Sequence, residues 1–148
     1  MTIERKVGMG IAGQPSGGAT DVAEVFSTYL YAGNGSTQTI TNGIDLAGEG
    51  GLVWIKCRTT GYSHSLHDTE RGATKSLSSD LTSATDVWVD GLTSFNNNGF
   101  SLGSENPVNR AASNTFASFT FRKKSGFFDC VTYTGNSGTS QTIAHGLN

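Results

Sequence analysis

Proline and cysteine are scarce in this chain of 148 residues, with two of each. Cys57 and Cys130 cannot build the disulfide framework on which small secreted domains rely. Their spacing fits no metal or redox motif, so both are read as reduced, half-buried strand residues. Charge is sparse as well, at 15% of residues with a formal net charge of −2. The basic residues are scattered except for Arg122-Lys123-Lys124, which excludes the electrostatic footprint of a nucleic-acid binder. No run of about 18 apolar residues occurs, and the opening MTIERKVGMG does not lead into an apolar signal-peptide core. The expectation is a chain made in the cytoplasm that spans no membrane. Helical periodicity is missing too, apart from a weak pattern over residues 73–81.

What the chain does contain is Gly, Ser, Thr and Asn around short alternating runs, a mixture that suits strands joined by many turns. FSTYLYAG sets Phe26, Thr28 and Leu30 against Ser27, Tyr29 and Tyr31. GLVWIKCR sets Leu52, Trp54 and Lys56 against Val53, Ile55 and Cys57, apolar on both faces, as expected of a strand in mid-sheet. DVWVDGLTSFNNNGFSLGS holds two runs split by Asn96-Asn97-Asn98-Gly99, a good hairpin turn because Asn and Gly tolerate positive φ. TFASFTFRKK sets Ala117, Phe119 and Phe121 against Phe116, Ser118 and Thr120, and its basic end is read as a guard against edge pairing. FFDCVTYTG reads as a further strand. Strands at spacings of about 8 to 12 residues predict an all-β fold, an antiparallel β-sandwich or jelly roll.

Residues 1–25 stand apart. Ile3, Val7, Met9 and Ile11 are isolated apolar positions followed by a Gly/Pro/Ser stretch, with no sustained period. Such a segment cannot bury enough surface alone to offset its ordering entropy. It is read as an extended arm that gains order on another protein, with Val22 and Val25 at its inner end, where DVAEV makes a helical turn or leads into the first strand.

One sentence of this sequence is written twice. FSTYLYAGNGSTQTITNGIDL begins at Phe26, and FDCVTYTGNSGTSQTIAHGLN begins at Phe128, 102 residues later. An offset of that size is the length of one sandwich, so it indicates a tandem of domains and not a solenoid of small repeats. The expected units are an arm over 1–25, a sandwich over 26–126, and a segment 127–148 that is its last strand or the start of a second repeat. Matching that continues past the strand into QTIAHGL favours the second repeat, and hence a chain that is the leading part of a longer protein.

The motifs of chemistry are weak. GMGIAG satisfies G-x-G-x-x-G through Gly8, Gly10 and Gly13, but it precedes Gln14-Pro15-Ser16-Gly17-Gly18, which cannot open a helix, so dinucleotide binding is set aside. His64 and His67 in one strand face opposite ways and make a poor zinc pair with Cys57. Asp68 and Glu70, ahead of Arg71-Gly72, suggest a calcium corner or, more in keeping with their type, a local ion-pair knot. Asn34-Gly35-Ser36 fits a glycosylation sequon by chance. Tyr62 and Trp88 are candidates for stacking on sugar rings, though packing explains each more simply. No spacing suggests a nucleophile with its base; catalytic residues, metal ligands and cofactors are expected to be absent.

Taken together, YAGNGSTQTITNGIDLAGEGGLVWIKCR, HDTERGATKSL, GLTSFNNNGFSLGS, FASFTFRKKSGFFDCVTYTGN and QTIAHGL resemble a family of phage structural proteins of marine and cyanobacterial phages, described as tail fibre or virion structural proteins. The resemblance covers nearly all of residues 26–148 and implies a concanavalin-like or laminin-G-like jelly roll. One departure is Phe119-Thr120-Phe121, where that family often carries a Trp. It implies no catalytic residues. It does imply a virion location, in the tail, with the arm seated on tail adaptor or nozzle proteins, a homotrimeric assembly, and host glycans met through distal regions. The leading expectation is a virion-proximal part of a tail fibre; a capsid decoration protein and a carbohydrate-binding module are the alternatives.

Overall fold

The computed structural model describes residues 20–111 and 113–147, so Ile3, Val7, Met9, Ile11 and the GMGIAG motif lie outside the described residues. The described chain is all-β, with antiparallel strands in two sheets and helices of a single turn. A helical turn, α1 (Val22–Val25), is capped by the Asp21 carboxylate and runs straight into β1 (Phe26–Ala32). Val22 is exposed and Val25 is fully buried. Next come β2 (Gln38–Thr41), the turn α2 (Leu46–Glu49), β3 (Gly51–Cys57), β4 (Ser65–Asp68), β5 (Lys75–Ser78) and β6 (Asp86–Val87). The hairpin β7 (Leu92–Asn96) and β8 (Gly99–Leu102), the turn α3 (Asn106–Asn109) and β9 (Thr115–Arg122) complete the order.

The larger sheet has the order β1-β9-β3-β4-β5-β6 and the smaller β2-β8-β7. Between them lies one core. Val53, Ile55, Cys57, Phe116 and Tyr31 come from the large sheet, and Ile40, Phe100, Leu102 and Leu92 from the small one. Ile44, Leu46 and Val108, on the connections, close it. This is an antiparallel sandwich, as the strand spacing predicts. β3 alternates fully buried and half-buried residues along its length and lies between β9 and β4. The Asn-Gly turn joins β7 to β8; a side chain at Gly99 would overlap the Ile40 carbonyl, and its φ of 147° suits glycine.

Four expectations are corrected. Residues 73–81 form β5 and its flanks, not a helix: Thr74 takes a φ of 68°, and Leu77 pairs with Leu66 across the sheet. β9 needs no guard at an edge, because it lies in the interior between β1 and β3, and apolar residues on both its faces are what such a position requires. FFDCVTYTG makes only the isolated bridge Lys124↔Phe128, since both sides of β9 are already hydrogen-bonded. Cys57 is completely buried and not half-buried, while Cys130 lies outside any strand; both are free thiols.

Candidate functional site, an aromatic sheet face

Because side chains alternate, the pairing register fixes which residues share the outer face of the large sheet. Phe26, Thr28 and Leu30 of β1 stand opposite Phe121, Phe119 and Ala117 of β9. Those in turn face Leu52, Trp54 and Lys56 of β3. Leu66 of β4 and Leu77 of β5 extend the row. The face is therefore apolar across five strands, although the core lies on the other side.

Two chains of rings run over it. His64, Trp54 and Phe119 form one, with centroids 5.6 Å and 5.7 Å apart. Phe26, Phe121 and Phe128 form the other, at 4.9 Å and 5.3 Å. The Trp54 indole Nε1–H donates to His64 Nδ1 at 2.9 Å, which fixes the indole plane and assigns the histidine proton to Nε2. A shallow depression of about 450 Å³ opens between the rings, lined by Trp54, Lys56, Arg58, His64, Ala117, Phe119 and Phe121. Lys56 Nζ donates to the Tyr62 carbonyl at 2.6 Å, so its charge is held at the rim. An aromatic floor with a cationic rim can stack a planar or ring-shaped ligand and offer hydrogen-bond donors and positive charge at one side.

Tyr62 and Trp88 are not part of this face. Both are half-buried and packed on the core. The Tyr62 hydroxyl accepts from Arg110 Nη1 at 2.5 Å. Trp88 lies edge-on to His67, with centroids 6.2 Å apart. The rings that do gather outside, Trp54, Phe119 and Phe121, were legible as one side of two alternating strands; what the sequence did not reveal is that these strands are neighbours.

The Asp68 and Glu70 corner is an ion-pair knot. The Asp68 carboxylate is buried, accepts from Arg71 Nε and from the Arg71 backbone, and pairs with Arg71 Nη2 at 2.5 Å. Glu70 turns away to Lys123 Nζ at 2.8 Å, and Lys123 also reaches Asp129 at 3.2 Å. The hydrogen bond to Glu70, with that to Asp129, raises the Lys123 pKa. Among the described residues no group of three or more His, Cys, Asp or Glu converges as metal ligands do. Between the sheets, His67 is fully buried beside Ser65 and Ser76. Its Nδ1 meets the Lys75 carbonyl at 3.0 Å, while Nε2 and both serine hydroxyls lack a partner. Burial pushes the His67 pKa down to about 4. The pKa of the Cys57 thiol is also lowered: burial raises it, yet hydrogen bonds from Thr59 and Thr60 outweigh burial and leave the thiol below its usual value. The His67 and Cys57 side chains are both shielded from solvent.

The family described as a domain of unknown function (DUF7483) matches residues 21–148, and the chain belongs to it. No curated protein and no solved structure matches the chain. Among the described residues no helix is long and apolar enough to cross a membrane.

Proposed function

We propose that this chain is a non-enzymatic structural module of a virion, the tail-proximal part of a fibre, in which residues 1–25 attach to a tail adaptor or nozzle protein and the sandwich acts as a rigid spacer. The single observation that supports an assembly role is the apolar outer face, continuous over β1, β9 and β3, ending in the edge strand β1 with Leu30 64% exposed. Such a face and edge favour association with further protein. The virion setting comes from the resemblance of residues 26–148. Attachment energy comes from Ile3, Val7, Met9 and Ile11 filling pockets, at roughly 1.5 to 3 kcal/mol for each fully buried side chain. Deleting residues 1–20, which spares the α1 turn and the buried Val25, yields a folded sandwich that no longer enters particles; incorporation at the parental level would refute the reading.

The Trp54, Phe119 and Phe121 floor with the Lys56 and Arg58 rim favours a second reading, a module that stacks host glycans. A glycan array with the full chain separates the two. Binding lost in Trp54→Ala supports the glycan reading, and an empty array leaves assembly alone.

A further inference from the structure

The two copies of the repeated sentence differ in a way that the structure explains. Over residues 26–34 and 128–136 the identical positions are Phe26/Phe128, Tyr31/Tyr133, Gly33/Gly135 and Asn34/Asn136. In the first copy these four make the contacts that dock β1. Phe26 packs on the Phe121 ring at 4.9 Å. Tyr31 stacks on Phe116 at 5.1 Å, and its hydroxyl donates to the Val108 carbonyl at 2.7 Å. At Gly33 any side chain would overlap the Arg110 carbonyl. The Asn34 backbone N–H donates to Asn109 Oδ1 at 3.0 Å, and Asn109 Nδ2 returns a hydrogen bond to Asn34 Oδ1. The positions that differ are Ser27/Asp129, Thr28/Cys130, Tyr29/Val131, Leu30/Thr132 and Ala32/Thr134, none of which is buried in β1.

Beyond the turn the agreement continues. The core residues Ile40 and Ile44 have apolar counterparts in Ile143 and Leu147. The turn itself keeps its hydrogen bonds in both copies. Gln38 Nε2 donates to the Ala32 carbonyl at 3.2 Å, and Gln141 Nε2 to the Thr134 carbonyl at 3.1 Å. Asn34 Nδ2 donates to the Thr37 carbonyl, and Asn136 Nδ2 to the equivalent Ser140 carbonyl. Yet two of the second copy's docking residues lie open, Tyr133 at 67% and Leu147 at 37% exposed, while Phe128 rests half-buried on the Phe121 ring and Ile143 is half-buried.

We infer that residues 128–147, whose turn is already formed but whose flanking runs are not yet paired as strands, are the β1–β2 element of a second sandwich of this same design. Its acceptor is a β9-like strand flanked by an aromatic at the place of Phe116, a carbonyl at the place of Val108 and an asparagine at the place of Asn109. Phe128, Tyr133, Gly135 and Asn136 are the anchors, and Ile143 and Leu147 enter the acceptor's core. The inference is independent of the virion reading, since it rests on contacts within the chain.

The chain carries its own test surface. Grafting the second copy onto the first requires Ser27→Asp, Thr28→Cys, Tyr29→Val, Leu30→Thr and Ala32→Thr in the full chain. The expected result is a cooperative melt with a Tm within about 5 °C of the parent, and a drop of about 10 °C or more when Tyr31→Ala is added to the graft. A folded graft that tolerates Tyr31→Ala overturns the inference. If the graft does not fold, the decision passes to the full-length Asn34→Ala chain, whose own β1 clamp is weakened. A peptide of residues 126–147 in excess raises its Tm by a few degrees, and the same peptide with Tyr133→Ala and Asn136→Ala does not. Absence of any rise with the first peptide overturns the inference.

Discussion

At the scale of single residues, the core of this sandwich holds a titratable group that the fold keeps neutral. His67 is sealed between the sheets, and burial, only partly opposed by the Lys75 carbonyl and the Asp68 charge, lowers its pKa from 6.5 to about 4. The Arg71 charge nearby acts in the same direction as burial. Above pH 6.5 the folded and unfolded chains are both neutral at this site, and the contribution to stability is fully present. As pH falls from 6.5 to about 4 the unfolded chain binds a proton that the folded chain refuses, so stability is lost, by roughly 3 kcal/mol in all. Chemical denaturation at several pH values reads this directly. The difference between the parent and His67→Gln should shrink over that window, while a constant difference would show that His67 takes up its proton without unfolding. Its neighbour Ser76 makes a second case. The buried hydroxyl has no partner, so Ser76→Ala removes an unsatisfied group and should be neutral or stabilising by up to about 1 kcal/mol. Neither feature is legible in the sequence, where SHSLHD reads as an ordinary polar strand. It becomes a buried one because Ser65 and His67 happen to share the inward side of β4.

At the scale of elements, β1 is held by its end as much as by its ladder. Asn109, fully buried on α3, donates to the carbonyls of Ser36 and Gly103 at 2.6 Å and 2.7 Å, besides exchanging hydrogen bonds with Asn34. It thus ties the β1–β2 turn to the connection that enters β9. Asn109→Ala leaves the buried Gly103 carbonyl unpaired and releases the Asn34 N–H and Ser36 carbonyl of the turn at once, and a loss of about 2 to 3 kcal/mol is expected in urea denaturation. Asn34→Ala, at a more exposed position, should cost about 1 kcal/mol. The order of the two is the test, because a merely local turn would make Asn34 the larger. Strand identity was legible wherever alternation was strong: β3, the β7–β8 hairpin and β9 lie where their patterns place them. Position within the sheet was not. The basic end of β9 suggested an edge, but pairing partners come from residues nearly a whole domain away, and a local pattern carries no record of them. The same blindness hid the aromatic face, since Trp54 and Phe119 meet only through the β3–β9 register.

At the scale of the whole molecule, that register makes β9 the member on which the large sheet depends. It joins β1, from the start of the sandwich, to β3, and its inward Thr120 accepts from Asn42 Nδ2 at 2.8 Å beside the small sheet. Residues 129–147, by contrast, touch the sandwich through few polar contacts: Lys123 to Asp129, and Gly126 N–H to the Leu147 carbonyl at 3.2 Å. Asp129 is also held by the Gly146 N–H, which with Lys123 keeps its carboxyl below the usual range, in a half-buried pair just past the end of β9. Removing residues 129–148 should therefore leave the ladder intact and the domain cooperative, with Tm lowered by a few degrees at most. Truncation at residue 114 instead removes the strand between β1 and β3, exposes both faces of the core, and should abolish folding. Circular dichroism melts of the two truncations decide the matter. If the shorter deletion unfolds the protein, residues 129–148 belong to the first sandwich, and the boundary near residue 126 that the repeat implies is wrong.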